Sequence, residues 1–108
     1  MKLSQRVVLD HGPKLTDDEI RELKAELGDA WEIRDGKLFK HFDFNNFKES
    51  KAFVDKVSAL AEQVNHHPDI TFSFKYVDVV LYTHFRQGLT EADFVLAAKI
   101  GELEADLH

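Results

Sequence analysis

Pro68 is the residue that most constrains how this chain can fold. It is one of only two prolines in 108 residues. It follows a segment in which Phe53, Val57, Leu60, Ala61 and Val64 recur at helical spacing. Proline cannot continue a helix, and it drives the residue before it, His67, into extended backbone. Beyond Pro68 the apolar period changes from helical to alternating. Ile70, Phe72 and Phe74 alternate with Thr71, Ser73 and Lys75, and Val77, Val79, Leu81 and Thr83 alternate with Asp78, Val80, Tyr82 and His84. At Pro68 the chain must therefore pass from a long helix into two half-buried strands. Their turn is expected near Lys75-Tyr76, where neither Gly nor Asn marks it.

The first half repeats the pattern. Thr16 and Glu19 have capping-box spacing, with Leu15 and Ile20 at the hydrophobic-staple positions. Ile20, Leu23 and Leu27 form the apolar stripe of a first helix, which Gly28 ends. Asp35-Gly36 lies between two alternating runs and predicts a tight hairpin. Its second strand carries aromatics on both faces, Leu38, Phe42 and Phe44 against Phe39 and His41, so the pattern leaves the core face open. Asn45 or Asn46 caps the long helix, which is predicted to reach about Val64. After Gly88, Thr90 and Asp93 have capping-box spacing again and open a last helix.

The order is α-β-β-α-β-β-α. It predicts an α+β fold, a four-stranded antiparallel sheet with helices on one face. Residues 1–108 are read as a single domain, with residues 1–14 an extended arm that either moves or packs through Val7, Val8 and Leu9. The last helix is apolar on more than one side, at Phe94, Val95, Leu96, Ala98, Ile100 and Leu103. That surplus suggests contact with a second subunit. The aromatics on the outer sheet face suggest either a concave binding face or a subunit interface.

Composition narrows function. The formal charge is −6 and no two basic residues are adjacent, which argues against a phosphate-backbone partner. There is no cysteine, so disulfides, thiolate metal sites and cysteine nucleophiles are excluded. No apolar run approaches a membrane span or a signal h-region. A cytoplasmic protein with a small, weakly charged ligand is the expectation.

Chemistry centres on histidine. Of the six histidines, His11 and His108 lie near the termini and are read as solvated, and His41 as a surface or rim residue. His66 and His67 stand where the long helix meets the Pro68 turn, and His84 ends a strand just before Gln87-Gly88. Imidazole serves as acid or base near neutral pH without large retuning. Glu62, one helical turn before His66, could fix that imidazole's tautomer. Three imidazoles could instead hold zinc, but adjacent histidines usually point apart and no His-x-x-x-His spacing occurs.

The stretch Glu62-Gln-Val-Asn-His66-His67-Pro68, with Phe74, Thr83-His84 and Gly88-Leu89-Thr90-Glu91-Ala92-Asp93, resembles the pterin-4a-carbinolamine dehydratase family. That family is also known as the dimerisation cofactor of a homeodomain transcription factor. Trp31, the strand Phe39–Phe44 and Phe47 match its first half, and the likeness runs from about Leu15 to Leu103. The resemblance implies the same fold, assembly as homodimers or homotetramers, and no metal or organic cofactor. It implies a hydro-lyase that removes water from a 4a-hydroxytetrahydropterin left by an aromatic amino-acid hydroxylase, so that tetrahydrobiopterin is recycled.

It further implies His66, His67 and His84 as catalytic residues. His66, His67, Pro68, Thr83, His84, Phe85 and Arg86 are the implied substrate contacts. His67 and His84 would move protons and His66 would orient the pterin. Glu62 would support His66. Asp93 is read as a helix cap, or else as support for His84. Trp31 is a core residue or a pocket wall. Phe74 stands where the family usually has Tyr, Lys75-Tyr76 replaces an Asn-containing turn, and Gln87 stands where a small residue is common. Members of the family also act as non-enzymatic coactivators or assembly factors, which is the competing reading.

Overall fold

The computed structural model describes residues 1–9 and 11–107, and side chains as far as residue 105; the reading of His108 as solvated lies outside them. Helix α1 spans Asp17–Leu27, strand β1 Glu32–Arg34, β2 Lys37–Asp43, helix α2 Phe47–Val64, β3 Asp69–Phe72, β4 Tyr76–Leu81 and helix α3 Glu91–Leu107. All pairings are antiparallel and the sheet order is β1-β2-β4-β3. This is the expected α+β order.

The local signals act as their chemistry requires. Thr16 Oγ1 accepts from Glu19 N–H at 3.2 Å, and Glu19 Oε1 accepts from Thr16 N–H at 2.9 Å, closing the box at the start of α1. Asp35 and Gly36 both take positive φ, 51° and 75°, as a two-residue hairpin turn demands. Asn46, not Asn45, caps α2, its side chain accepting from Glu49 N–H at 2.9 Å. The turn between β3 and β4 falls on Ser73–Lys75, slightly earlier than the alternation placed it, so Phe74 lies in the turn and is exposed. Buried Ser50 of α2 donates its hydroxyl to the Phe74 carbonyl at 3.1 Å. A side chain from the neighbouring helix thus anchors a turn that carries no Gly or Asn.

Register settles the core face of β2. Leu38 pairs with Leu81 and Phe42 with Val77, all buried against the helices. Phe53, Val57 and Ala61 of α2 and Phe94, Leu96, Ala97 and Ile100 of α3 complete that core. Phe53 tilts against both Phe42 and Phe44, with ring centroids 4.6 and 5.2 Å away. Trp31 is 2 % exposed and meets Phe42 edge-on, so it is a core residue.

One expectation changes. The N-terminal segment is not simply extended. Leu3–Gln5 form one 3₁₀ turn, and buried Leu3 anchors it while Val7 and Leu9 are exposed. Lys99 of α3 donates to the Ser4 carbonyl at 2.8 Å, holding that turn on the last helix. This packing, together with α1, α2 and the sheet, buries Phe94, Val95, Leu96 and Ile100 within the chain. Ala98 and Leu103, the other apolar residues expected on that helix, stay partly exposed.

The outer sheet face has no helical layer. Its aromatics are covered singly by cations: the Arg34 guanidinium lies 4.0 Å from the Phe39 ring centroid and Lys37 Nζ 4.9 Å from that of Tyr82. His41 stacks on Tyr76 and lies between two carboxylates, Nε2 at 2.8 Å from Asp43 and Nδ1 at 2.5 Å from Asp78. No helix among the described residues is long and apolar enough to cross a membrane.

Two outcomes follow from this packing. Phe53→Ala should lower unfolding free energy by about 3–5 kcal/mol in denaturant titration, because a fully buried ring is lost from a dense core. The hydrogen bonds to Asp43, then Asp78, raise the His41 pKa above its ordinary 6.5. The folded state holds that proton more tightly, so its stabilisation is complete below pH 6.5 and disappears as pH rises through the raised value. The stability gap between wild type and His41→Gln should accordingly be larger at about pH 6 than at about pH 9. A gap that does not change would exclude the charged pairing.

Candidate active site

Helix α2 ends at Asn65, which takes the left-handed conformation at φ 54°. This bend decides where the two adjacent histidines go. His66 turns inward toward the start of α3, and His67 swings back over the last turn of α2. Pro68 then launches β3. Antiparallel pairing of Asp69 with Val80 sets this loop beside the end of β4, where Thr83 and His84 leave the sheet.

A single buried carboxylate ties these pieces together. Asp93 is 0 % exposed, and its Oδ1 lies 2.6 Å from His66 Nε2. Its Oδ2 accepts from the Thr83 hydroxyl at 2.8 Å and from Thr90 N–H at 2.9 Å. Thr83 Oγ1 also lies 3.0 Å from Thr90 Oγ1. A charge at this depth is tolerable because both oxygens are bonded and the helix N-terminus favours a negative group. Among the described residues no buried side-chain polar atom lacks a partner. His66 meets this carboxylate through Nε2, which leaves Nδ1 as its other ring nitrogen.

His67 is more exposed, and its Nε2 lies 2.9 Å from Glu62 Oε1. The expected pairing is thus corrected. Glu62 supports His67 rather than His66, because the left-handed Asn65 breaks the helical progression that would have stacked residue 66 over residue 62. Asp93 is the cap it was read to be, and its second partner is His66 rather than His84. Both facing carboxylates take an Nε2, so both adjacent imidazoles are fixed in the same sense, with Nδ1 remaining.

His84 opens a 3₁₀ turn, His84–Arg86, and its exposed ring meets Tyr82 edge-on at 5.1 Å. It lies at the same end of the sheet as His67, outside the Asp93 network. Phe85 is 65 % exposed, with the Arg86 guanidinium 5.1 Å from its centroid. Arg86 is itself engaged by the N-terminal segment, donating from Nε to the Gly12 carbonyl at 3.0 Å and from a terminal nitrogen to that of His11 at 3.3 Å. Gln87 adopts φ 53°, the left-handed region, which suits the small residue common at this place.

A hollow of about 350 Å³ opens here, lined by His11, Asn65, His66 and Phe85. His11 and Asn65 were not anticipated. Asn65 has a local signal in hindsight, since asparagine tolerates the left-handed bend that a helix stop before His-His-Pro requires. His11 has none, because only tertiary contact brings it near. A larger hollow of about 510 Å³ lies elsewhere, between the N-terminal turn, the end of α1 and the second half of α3, near Leu3, Trp31, Ala97 and Gly101. It holds no histidine and stands apart from the polar network, so the smaller one is the candidate site. Among the described residues no group of three or more histidine, aspartate or glutamate side chains is arranged to hold a metal ion.

Known proteins agree on the family. The family model described as pterin 4 alpha carbinolamine dehydratase matches residues 13–103. Relatives from Alkaliphilus metalliredigens and Rubrobacter xylanophilus, provisionally named pterin-4-alpha-carbinolamine dehydratases, are 39 % and 44 % identical. The first alignment covers 87 % of this chain and 86 % of the relative, the second 84 % and 85 %. A crystal structure of a transcriptional coactivator/pterin dehydratase from Brucella melitensis superposes with a TM-score of 0.76 at 30 % identity, over 83 % of this chain and 97 % of that one. A pterin dehydratase-like protein identified as a RuBisCO assembly factor in the alpha-carboxysome gives a TM-score of 0.62 at 31 % identity, over 71 % and 92 %. With a family model matched over residues 13–103 and relatives about 40 % identical over most of its length, the chain belongs to the pterin 4 alpha carbinolamine dehydratase family.

Proposed function

We propose that this protein is a 4a-hydroxytetrahydropterin dehydratase acting by histidine acid–base catalysis. The observation that carries the proposal is the Asp93 carboxylate, which holds His66 and Thr83 at one point. It thereby keeps the His66-His67-Pro68 loop beside the Thr83-His84 strand end. Pro68 on the first of these and Phe85 and Arg86 beyond the second complete the proposed substrate surface.

The reaction needs two proton transfers. A base takes the N5 proton, an acid protonates the C4a hydroxyl, water leaves, and a C4a=N5 double bond forms to give the quinonoid dihydropterin. Atoms and charge balance with no metal or organic cofactor. His67 and His84, both exposed at the end of the sheet, are assigned the proton transfers. Glu62 holds the His67 ring through Nε2, leaving Nδ1 as its other ring nitrogen. His66 is held too firmly to reorient, with only 11 % of its side chain exposed, and is assigned to binding and orienting the heterocycle. Asp93 sets its tautomer and direction. In this proposal the substrate comes from an aromatic amino-acid hydroxylase, the setting is cytoplasmic tetrahydrobiopterin recycling, and the protein works as a homodimer or homotetramer, as in the family it resembles.

A competing role exists on this fold, since one structural neighbour is described as an assembly factor. The support for catalysis here is the wiring: two adjacent histidines each have a dedicated carboxylate, which a docking surface does not need.

The proposal is tested by following quinonoid dihydropterin formation from the 4a-carbinolamine. Purified protein should accelerate it, and an unchanged rate at micromolar protein would exclude the enzyme. His67→Ala and His84→Ala should each remain folded and lose on the order of 10²-fold or more in kcat. Asp93→Asn keeps an oxygen for Thr90 N–H but removes the negative charge facing His66. Its kcat should fall by on the order of 10-fold or more, with a changed pH–rate profile. Wild-type kinetics in that variant would show that His66 needs no carboxylate.

A further inference from the structure

The N-terminal segment approaches the histidine hollow and is tied down beside it. The Arg86 guanidinium donates to two successive carbonyls, His11 at 3.3 Å and Gly12 at 3.0 Å. Leu15 N–H donates to the Leu89 carbonyl at 2.9 Å. Between them the Lys14 side chain lies across Gly88, so close that a Cβ there would sit 2.6 Å from Lys14 Cε. The contact is with a flexible side chain, so it marks where Lys14 lies rather than a requirement for glycine. Three successive contacts order a segment whose backbone would otherwise keep its conformational freedom. All three lie on residues 86–89, directly after His84.

The result is an imidazole on the wall of the hollow opposite in sequence to everything else there. His11 shares the lining with Asn65, His66 and Phe85. The hollow measures about 350 Å³, within the span of small-molecule sites. Phe85 leaves an aromatic ring 65 % exposed at its edge, which suits the flat face of a heterocycle. His11 adds a second flat ring that can also donate or accept a hydrogen bond.

We infer that His11 is a substrate-contacting residue of this site, gripping the bound heterocycle and setting its affinity without moving protons. The inference rests on the dehydratase proposal for the identity of the heterocycle. Its residues belong to a segment that the 3₁₀ turn at Leu3–Gln5 and the Arg86 clamp hold at both ends.

The experiment compares wild type, His11→Ala, His11→Gln and the same-segment control Val7→Ala, whose side chain is exposed. Each is assayed for carbinolamine dehydration and titrated with 7,8-dihydrobiopterin, an unreactive probe, by fluorescence. His11→Ala should raise KM and the probe Kd about fivefold or more with kcat within about twofold of wild type. His11→Gln should recover part of the affinity, and Val7→Ala should match wild type. Unchanged KM and Kd in His11→Ala, in a background where wild type binds and turns over, would overturn the inference and leave the dehydratase proposal standing. A fall in kcat with KM unchanged would also overturn it. A wild type that neither binds the probe nor accelerates the reaction would overturn the dehydratase proposal, and this inference with it.

Discussion

A buried carboxylate cannot sit in an apolar interior without full hydrogen bonding, and that requirement organises one end of this molecule around Asp93. Its two oxygens collect a backbone N–H from the start of α3, a hydroxyl from the end of β4 and an imidazole from the loop that begins β3. Three elements distant in sequence are thereby fixed at one point. The cap of the last helix and the orientation of His66 are one arrangement, so stability and chemistry share the same atoms there.

The rest of the site is graded in rigidity. His66 is half-buried and clamped, His67 is exposed but held by a partner on its own helix, and His84 leans on Tyr82 with its ring in solvent. That gradient fits a site in which one group positions a ligand and others exchange protons. The cavity wall beyond them is supplied by the N-terminal segment, through main-chain carbonyls held by Arg86. On the far side of the sheet the aromatics Phe39 and Tyr82 are each covered by a cation, Arg34 and Lys37.

Most of the fold was legible because its signals are local. Thr16 with Glu19, Asp35 with Gly36, Asn46 and Pro68 act within a few residues of themselves, and each did in the structure what its chemistry requires. The β3–β4 turn was placed less well, since Ser73–Lys75 is stabilised by Ser50 from another helix and not by its own residues. The apolar excess of α3 was legible as a need for cover, but its source was not. Periodicity reports that a face must be covered but not by what, and here the covering comes from Leu3 and the chain's own helices. In the site, the spacing Glu62…His66-His67-Pro68 suggested one carboxylate–imidazole pair, and a single left-handed residue, Asn65, redirected it to His67.

The sequence by itself determined the order of elements, most of their caps and turns, the inward face of the last two strands, and the choice of histidine as the chemical group. These depend on backbone propensity and apolar period, which act over one or two turns of chain. Tertiary structure alone decided which carboxylate meets which imidazole, which face of β2 is buried, and that His11 joins the hollow. Those outcomes depend on strand register and on packing between segments many tens of residues apart, and no local pattern encodes a distance through space.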